Sequence, residues 1–327
     1  MDGRICLVRD ADGTVRELTD VSADLLSRRP TEAGSFVWLD VADPGLAELD
    51  LMRDGLGLHP LAIEDIRKRR QRPKVDAYPA HYVIVAYEIL PGEGEELYRL
   101  GEVHLIVSPG AIVSVHWGGS PSLAEVRRLF ARRTPGIGES TGALLYGILD
   151  NIADGYFPVL DRISEAIDAI EDRIVGGGKD GTALRDVLRV KRELLELRRV
   201  IAPLRDVANA LLRRELEVVT AGTAPYYQDL YDHLVRVLDS IDLYRDILAA
   251  ALDANLAVAS NNLNLVVKRL TALTVILMVP TLIGAIYGMN FPNVPGFGTD
   301  YGYLLALGLM VGSIAAAIAF FRSRDWL

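Results

Sequence analysis

The stretch Tyr287-Gly288-Met289-Asn290-Phe291-Pro292-Asn293-Val294-Pro295-Gly296-Phe297 joins two apolar runs, and the reading of those runs decides the fold. Leu270 to Met289 is 20 residues without a charge, and Tyr301 to Phe321 is 21. A helix rises about 1.5 Å per residue, so roughly 20 residues cross the ~30 Å hydrocarbon layer of a bilayer. Both runs are therefore expected to be transmembrane helices. Lys and Arg near the ends of a span are retained on the cytoplasmic side. Lys268 and Arg269 precede the first run, Arg322 and Arg324 follow the second, and residues 290–300 between them contain neither. The loop is then expected outside and both termini in the cytoplasm. The segment from Met1 has no apolar h-region, so no secretory signal is expected.

Composition narrows the class further. A chain of 327 residues suggests two or three structural units, and 50% hydrophobic residues reflects two spans diluted by a large soluble part. A formal charge of −9 argues against nucleic acid, whose binding needs a basic stripe to displace counterions. The one dense basic run, Arg67-Lys68-Arg69-Arg70, lies beside Glu64 and Asp65 and suits a solvated helix end, a subunit contact or anionic lipid. Acidity suits a protein that handles cations. The single cysteine, Cys6, rules out an intrachain disulfide and fits a reducing compartment.

Up to about residue 135, short β-branched and aromatic runs alternate with helical stretches, which predicts a compact α/β domain. The strands are expected at 4–8, 15–18, 36–41, 82–90, 99–107 and 112–116, with Pro44, Pro60 and Pro121 opening helices. After Gly138, Leu, Ala, Arg and Glu recur at helical spacing. Helices are expected over 139–175 and over 182–219 with Pro203 inside, separated by the glycine turn 176–181. A third is expected to start near Pro225 and to continue through Pro280 to Met289, 65 residues or roughly 97 Å, against roughly 55 Å for the others. The surplus is about one bilayer thickness, so the third helix is read as a stalk that becomes the first span. The layout is then an α+β membrane protein: 1–135 cytoplasmic domain, 136–269 stalk helices, 270–289 first span, 290–300 external loop, 301–321 second span, 322–327 tail.

Asn264, Val267, Leu270, Thr274, Met278, Thr281, Ala285 and Gly288 recur at steps of three and four and share one helix face. That face suits either a packing seam of small residues or the wall of a pore. Two spans cannot enclose a pore, so the second reading requires a ring of chains. Asn290 follows the face directly. It is either a helix-end turn residue or, in a ring, a source of amide oxygens that hold a hydrated Mg2+ without stripping its waters.

The triplet Gly288-Met289-Asn290, with Tyr287, Phe291 and Pro295 around it at the end of the first of two C-terminal spans, resembles the signature of the CorA family of magnesium channels. The likeness extends through the run from Asn264 to Thr274, Pro280-Thr281, the C-terminal Arg322 to Leu327, His59-Pro60-Leu61, Gln71 to Val75, and Pro225 to His233. The resemblance implies a funnel-shaped homopentamer in the plasma (inner) membrane that admits Mg2+. It assigns Gly288, Met289 and Asn290 to the selectivity filter and Asn264, Val267, Leu270, Thr274, Met278 and Thr281 to the pore wall. It further implies that Asp65 and Asp229 of adjacent subunits hold a regulatory cytoplasmic Mg2+, with Glu64, Asp150 and Asp154 near a second site. Val267 stands where relatives often have Met, and the basic cluster after the second span is reduced to two arginines offset by Asp325.

Other acids repeat along the long helices, at Asp232, Asp239, Asp246 and Asp253 and at Asp161, Glu165, Asp168 and Asp172. Most are expected to pair with Arg185, Arg189, Arg192 and Arg199. The five histidines are scattered, and no His-Glu-x-x-His, Cys pair, phosphate loop or nucleophile elbow occurs, so no enzyme is expected. The alternatives are a Zn2+, Co2+ or Ni2+ transporter of the same architecture, and a membrane-anchored scaffold that conducts nothing.

Overall fold

The computed structural model describes residues 3–27, 34–94, 96–134, 136–175, 182–213, 218–289 and 301–326. The chain divides into two compact units, Met1–Ala249 and Ala250–Leu327.

The first unit is built on a seven-stranded sheet. Its strands are β1 (Arg4–Arg9), β2 (Val15–Leu18), β3 (Phe36–Ala42), β4 (Lys74–Ala77), β5 (Tyr82–Pro91), β6 (Tyr98–Val107) and β7 (Ala111–His116), in the order β2-β1-β3-β7-β6-β5-β4. Only β3 and β7 run parallel, with Val37 opposite Ala111 and Val41 opposite Val115; every other pair is antiparallel. The helices of this region are α1 (Ala23–Ser27), α2 (Leu46–Leu56), α3 (Pro60–Lys68) and α4 (Pro121–Ala131). The edge strand β4 and the short α1 were not expected. Lys74 and Asp76 put charge on alternate positions of β4, which hides its strand character. Pro60 and Pro121 do open helices, whereas Pro44 precedes the N-cap of α2, Gly45.

Side chains alternate across the central strands and so feed two cores. On one face, Val37, Leu39, Val41, Val113 and Val115 pack with Leu49, Met52 and Leu56 of α2 and with Ala62 and Ile66 of α3. Cys6 belongs to this core, and burial pushes its thiol up to about 11, so it is an inert packing residue. On the opposite face, Phe130 of α4 lies 5.7 Å from Phe36 and meets Trp38 edge-on at 5.8 Å. A buried polar chain runs beneath it. Trp38 Nε1 donates to Ser114 Oγ at 3.0 Å, Ser114 Oγ donates to Asp40 Oδ1 at 2.6 Å, and Arg127 Nη1 donates to Asp40 Oδ2 at 2.9 Å.

Two further helices follow, α5 (Thr141–Asp154), which packs on β5 and β7, and α6 (Phe157–Val175). One helix was expected over this range. It breaks because Pro158 has no N–H to offer the Asp154 carbonyl and its ring would clash there, so the second helix restarts with Pro158 in its first turn. Next, α7 (Thr182–Leu212) carries Pro203 internally and ends before the expected Val219. Val218 leaves the helix to lay its carbonyl on Gly142 of α5, where a Cβ would sit 2.2 Å from the oxygen. The glycine turn 176–181 lies outside the described residues.

The last helices are α8 (Ala224–Tyr287), uninterrupted over 64 residues with Pro280 inside, and α9 (Gly302–Ser323). These are the two helices long and apolar enough to cross a membrane among the described residues.

The acid–arginine pairing expected along the long helices does not form. Asp232, Asp239, Asp246 and Asp253 are exposed, opposite the buried stripe Leu234, Val237, Ile241 and Leu248, and Asp161, Glu165, Asp168 and Asp172 are exposed on α6. None of these eight makes a salt bridge among the described residues. The ion pairs that cross between helices are Arg173–Asp186 at 2.7 Å and Arg198–Asp242 at 2.6 Å, while Arg189 reaches Asp186 and Glu193 on its own helix.

Asp40 is 4% exposed and takes its closest countercharge from Arg127, with His116 Nε2 3.4 Å from its other oxygen. Arg127→Leu should therefore cost about 3 kcal/mol by stranding a buried carboxylate, and adding Asp40→Asn should recover much of the loss. Thermal unfolding of the detergent-solubilised parent and the two variants measures this.

Candidate functional site

The carboxylates come first, because they converge in one place. Asp150 and Asp154 are four residues apart on α5 and so project together; Asp229 and His233 stand in the same relation on α8. The two pairs face each other. His233 Nδ1 lies 3.5 Å from Asp150 Oδ1 and 3.9 Å from Asp154 Oδ1, and its Nε2 lies 3.6 Å from Asp229 Oδ1. Phe157 packs edge-on against the imidazole at 6.0 Å, and Tyr146 lies 5.2 Å from Tyr226 and 6.0 Å from Tyr227, closing the space behind.

The electrostatics of this cluster are unbalanced. Burial raises the pKa of Asp150 most and the charge of Asp154 raises it further; the Tyr146 hydrogen bond and His233 oppose the rise in part, and Asp229 adds a smaller push upward. Asp150 Oδ1 and His233 Nδ1 are both buried without a hydrogen-bond partner. Orphaned buried polar atoms around converging acids mark a place where a cation would be welcome. The donor atoms of Asp150, Asp154 and His233 all lie within 4.8 Å of one another, the only such group of three among the described residues. Octahedral ligands about 2.1 Å from Mg2+ stand about 3 to 4.2 Å apart, so the donor set fits a divalent ion with small adjustments or through its waters.

Glu64 and Asp65 are placed elsewhere. Both sit on α3, whose start is capped by His59, with Nδ1 accepting from Leu61 N at 3.2 Å. Glu64 pairs with Lys68 one turn on, and Asp65 accepts from Lys74 Nζ at 2.7 Å, an ammonium that also reaches Asp76 at 2.7 Å. Within one chain, a lysine thus fills the cationic role beside Asp65. His233 is the residue that sequence reasoning undervalued; its place one turn after Asp229 was the available signal.

In the second unit, Asn264, Val267, Leu270, Thr274, Met278 and Thr281 are all exposed along one side of α8. Thr274, Met278 and Thr281 line an open groove of about 540 Å3 together with Leu277, Leu282 and Ala285. The Thr274 and Thr281 hydroxyls donate to the Leu270 and Leu277 carbonyls at 2.8 and 2.7 Å, which satisfies them within the helix. Across from this groove, Gly284 meets the Met310 side chain of α9, where a Cβ would come to 3.2 Å. Gly288 and Met289 close the helix, with Gly288 N donating to Gly284 O at 2.9 Å. Asn290 and the rest of the loop lie outside the described residues.

A mixed sheet domain, a run of long helices and two C-terminal helices long and apolar enough to cross a membrane make up a two-span architecture. Comparison supplies the family. The model of the family described as CorA-like Mg2+ transporter protein matches residues 33–323, and the chain belongs to that family. The cobalt/magnesium transport protein CorA of Thermotoga maritima is 31% identical over 316 residues, 94% of this chain and 88% of that protein. That of Methanocaldococcus jannaschii is 26% identical over 294 residues, covering 89% and 92%. The solved structure of the Methanocaldococcus jannaschii CorA magnesium transporter superposes with a TM-score of 0.84 at 23% identity, covering 100% of this chain and 99% of that one. The full-length CmaX protein superposes with a TM-score of 0.78 at 18% identity.

Because Asp150 is held above its ordinary pKa, stability gained from its protonated form is present below the unfolded-state pKa and lost as pH rises through the folded one. At neutral pH the ionised carboxylate therefore opposes folding. Asp150→Asn should raise the melting temperature of the metal-free protein by about one to three degrees at pH 7 and leave it unchanged or lower at pH 4, as read by thermal unfolding in chelator.

Proposed function

We propose that this chain forms a homopentamer in the plasma (inner) membrane and admits Mg2+ along an axial path lined by α8, with Co2+, Ni2+ and Zn2+ as further cargoes. The observation that carries the reading is the open face of α8, on which Asn264, Val267, Leu270, Thr274, Met278 and Thr281 are exposed. Its hydroxyls are spent on the backbone and it carries no charge, so it offers a weakly polar wall that does not bind a passing ion tightly. Rings of Val267, Leu270 and Met278 close such a path by dewetting when it narrows.

Gly288, Met289 and Asn290 then stand at the outer mouth, where a ring of amide oxygens hydrogen-bonds to the waters of a hydrated Mg2+. An inside-negative potential contributes about 2.3 kcal/mol per charge per 100 mV, doubled for a divalent ion. In this layout residues 1–135, the stalk helices of 136–269 and the tail 322–327 are cytoplasmic, residues 270–289 and 301–321 span the bilayer, and residues 290–300 face outward. The names of the Thermotoga and Methanocaldococcus relatives support the cargo.

Gating follows from the acids. Asp65 of one subunit with Asp229 of the next forms a regulatory site at which cytoplasmic Mg2+ clamps the ring shut, with Glu64 of the first and Asp150 and Asp154 of the second near another, and loss of the ions lets like charges push the subunits apart. Lys74 is the competitor that Mg2+ displaces from Asp65. The imidazole of His233 supports a second reading of the inner cluster, since nitrogen donors favour Co2+, Ni2+ or Zn2+ over Mg2+.

Metal flux into vesicles carrying the purified protein tests both parts. Asn290→Ala should abolish Mg2+ entry, and unchanged entry removes the amide ring from the mechanism. Asp65→Ala with Asp229→Ala should leave flux high when internal Mg2+ is raised; flux that is still suppressed removes the carboxylate clamp. A protein that passes no divalent ion under any internal condition is the scaffold instead.

A further inference from the structure

The parallel strands β3 and β7 send the chain to opposite sides of the sheet. From β3 it passes to α2, which packs on the Val37, Leu39 and Val41 face; from β7 it passes to α4, which packs on the Phe36 and Trp38 face. Adjacent parallel strands whose connections diverge leave a crevice beyond their carboxyl ends, the place where open α/β sheets bind ligands. A cavity of about 750 Å3 lies there, within the range of small-molecule sites. None of the proposed metal or pore residues lines it.

The floor of the cavity is built from charged groups held in place. Asp40 is fully engaged by Ser114 and Arg127, which leaves Arg127, only one of whose five N–H donors is spent on Asp40, facing the opening. His116 is 7% exposed; its Nε2 lies 3.4 Å from Asp40 Oδ1, and its Nδ1 has no partner in hydrogen-bonding geometry. Arg99 stands at the rim, shared with Glu93 at 2.9 Å. The first donors of α4 are already taken, Ser122 N by Glu88 at 3.1 Å and Leu123 N by Ser120 at 3.2 Å, so the helix start has none to offer an entering anion. The walls are apolar, from Ile5, Leu90, Pro91 and Trp117.

We propose that this cavity binds a small phosphomonoester, with the phosphate on Arg127, His116 and Arg99 and an apolar or aromatic body against Ile5, Leu90 and Trp117. A phosphomonoester suits the planar guanidinium groups, which meet two phosphate oxygens at once. Burial works against a charged imidazole at His116, but the hydrogen bond and charge of Asp40 outweigh it, with the Gly118 backbone and Glu88 helping, so the ring's pKa is raised toward the anion-binding form. The apolar walls would be idle for inorganic phosphate alone and give an organic body its added affinity. The inference does not rest on the transport reading, since no pore or metal residue takes part.

The test is calorimetric titration of the full-length detergent-solubilised protein, in chelator, with AMP, phenyl phosphate, inorganic phosphate and benzoate. AMP or phenyl phosphate should bind more tightly than inorganic phosphate, and benzoate more weakly than phenyl phosphate. Ala124→Phe, which fills the cavity from the exposed Ala124 of α4, should abolish binding while the protein still melts as the parent does; His116→Gln should weaken it by about tenfold, the loss of one charge-assisted hydrogen bond. The proposal is overturned by the absence of binding for both organic phosphates, by undiminished binding in a folded Ala124→Phe protein, or by inorganic phosphate binding as well as either ester, which marks an adventitious ion only.

Discussion

A backbone that satisfies its own hydrogen bonds can pass from water into lipid, and one that does not cannot. On that constraint the rest of this structure depends. The 64 residues of α8 keep one helical ladder from Ala224 to Tyr287, so the segment bearing Asp229 and His233 and the segment bearing Thr274, Met278 and Thr281 are one element. Pro280 removes a single donor without ending the helix.

The carboxylates beside α8 are incompletely neutralised. Asp150, Asp154 and Asp229 are gathered around one imidazole, with a buried oxygen left unpaired and Asp150 pushed toward protonation. Asp40 in the sheet domain shows the contrast, since Ser114 and Arg127 engage both of its oxygens. One acid is finished within the chain and serves the fold. The others lack such partners, and Asp150 Oδ1 is left without a hydrogen bond.

Much of the fold was legible because simple periodicities carried it. Six strands announced themselves by β-branched and aromatic alternation, and the spans by the length of their charge-free runs. The break between α5 and α6 was also written in the sequence, at Pro158, but a long helical texture around it concealed the stop. β4 was hidden because Lys74 and Asp76 serve Asp65 and the solvent rather than a core. The repeating acids of α6 and α8 misled: at helical spacing they looked like partners for the arginines of α7, yet they lie on the faces turned away from the buried stripes.

By itself the sequence determined the class, because hydrophobic length, charge flanks and a short motif at the end of the first apolar run are local properties that need no partner to be read. It also held the exposed face of α8, since residues three and four apart share a face in any helix. Only the tertiary structure decided that His233 joins Asp150 and Asp154, that Lys74 claims Asp65, and that Asp40, His116 and Arg127 share a cavity. Each of these joins residues from different elements, and the distance between such atoms is set by how helices and strands pack, which no local pattern encodes.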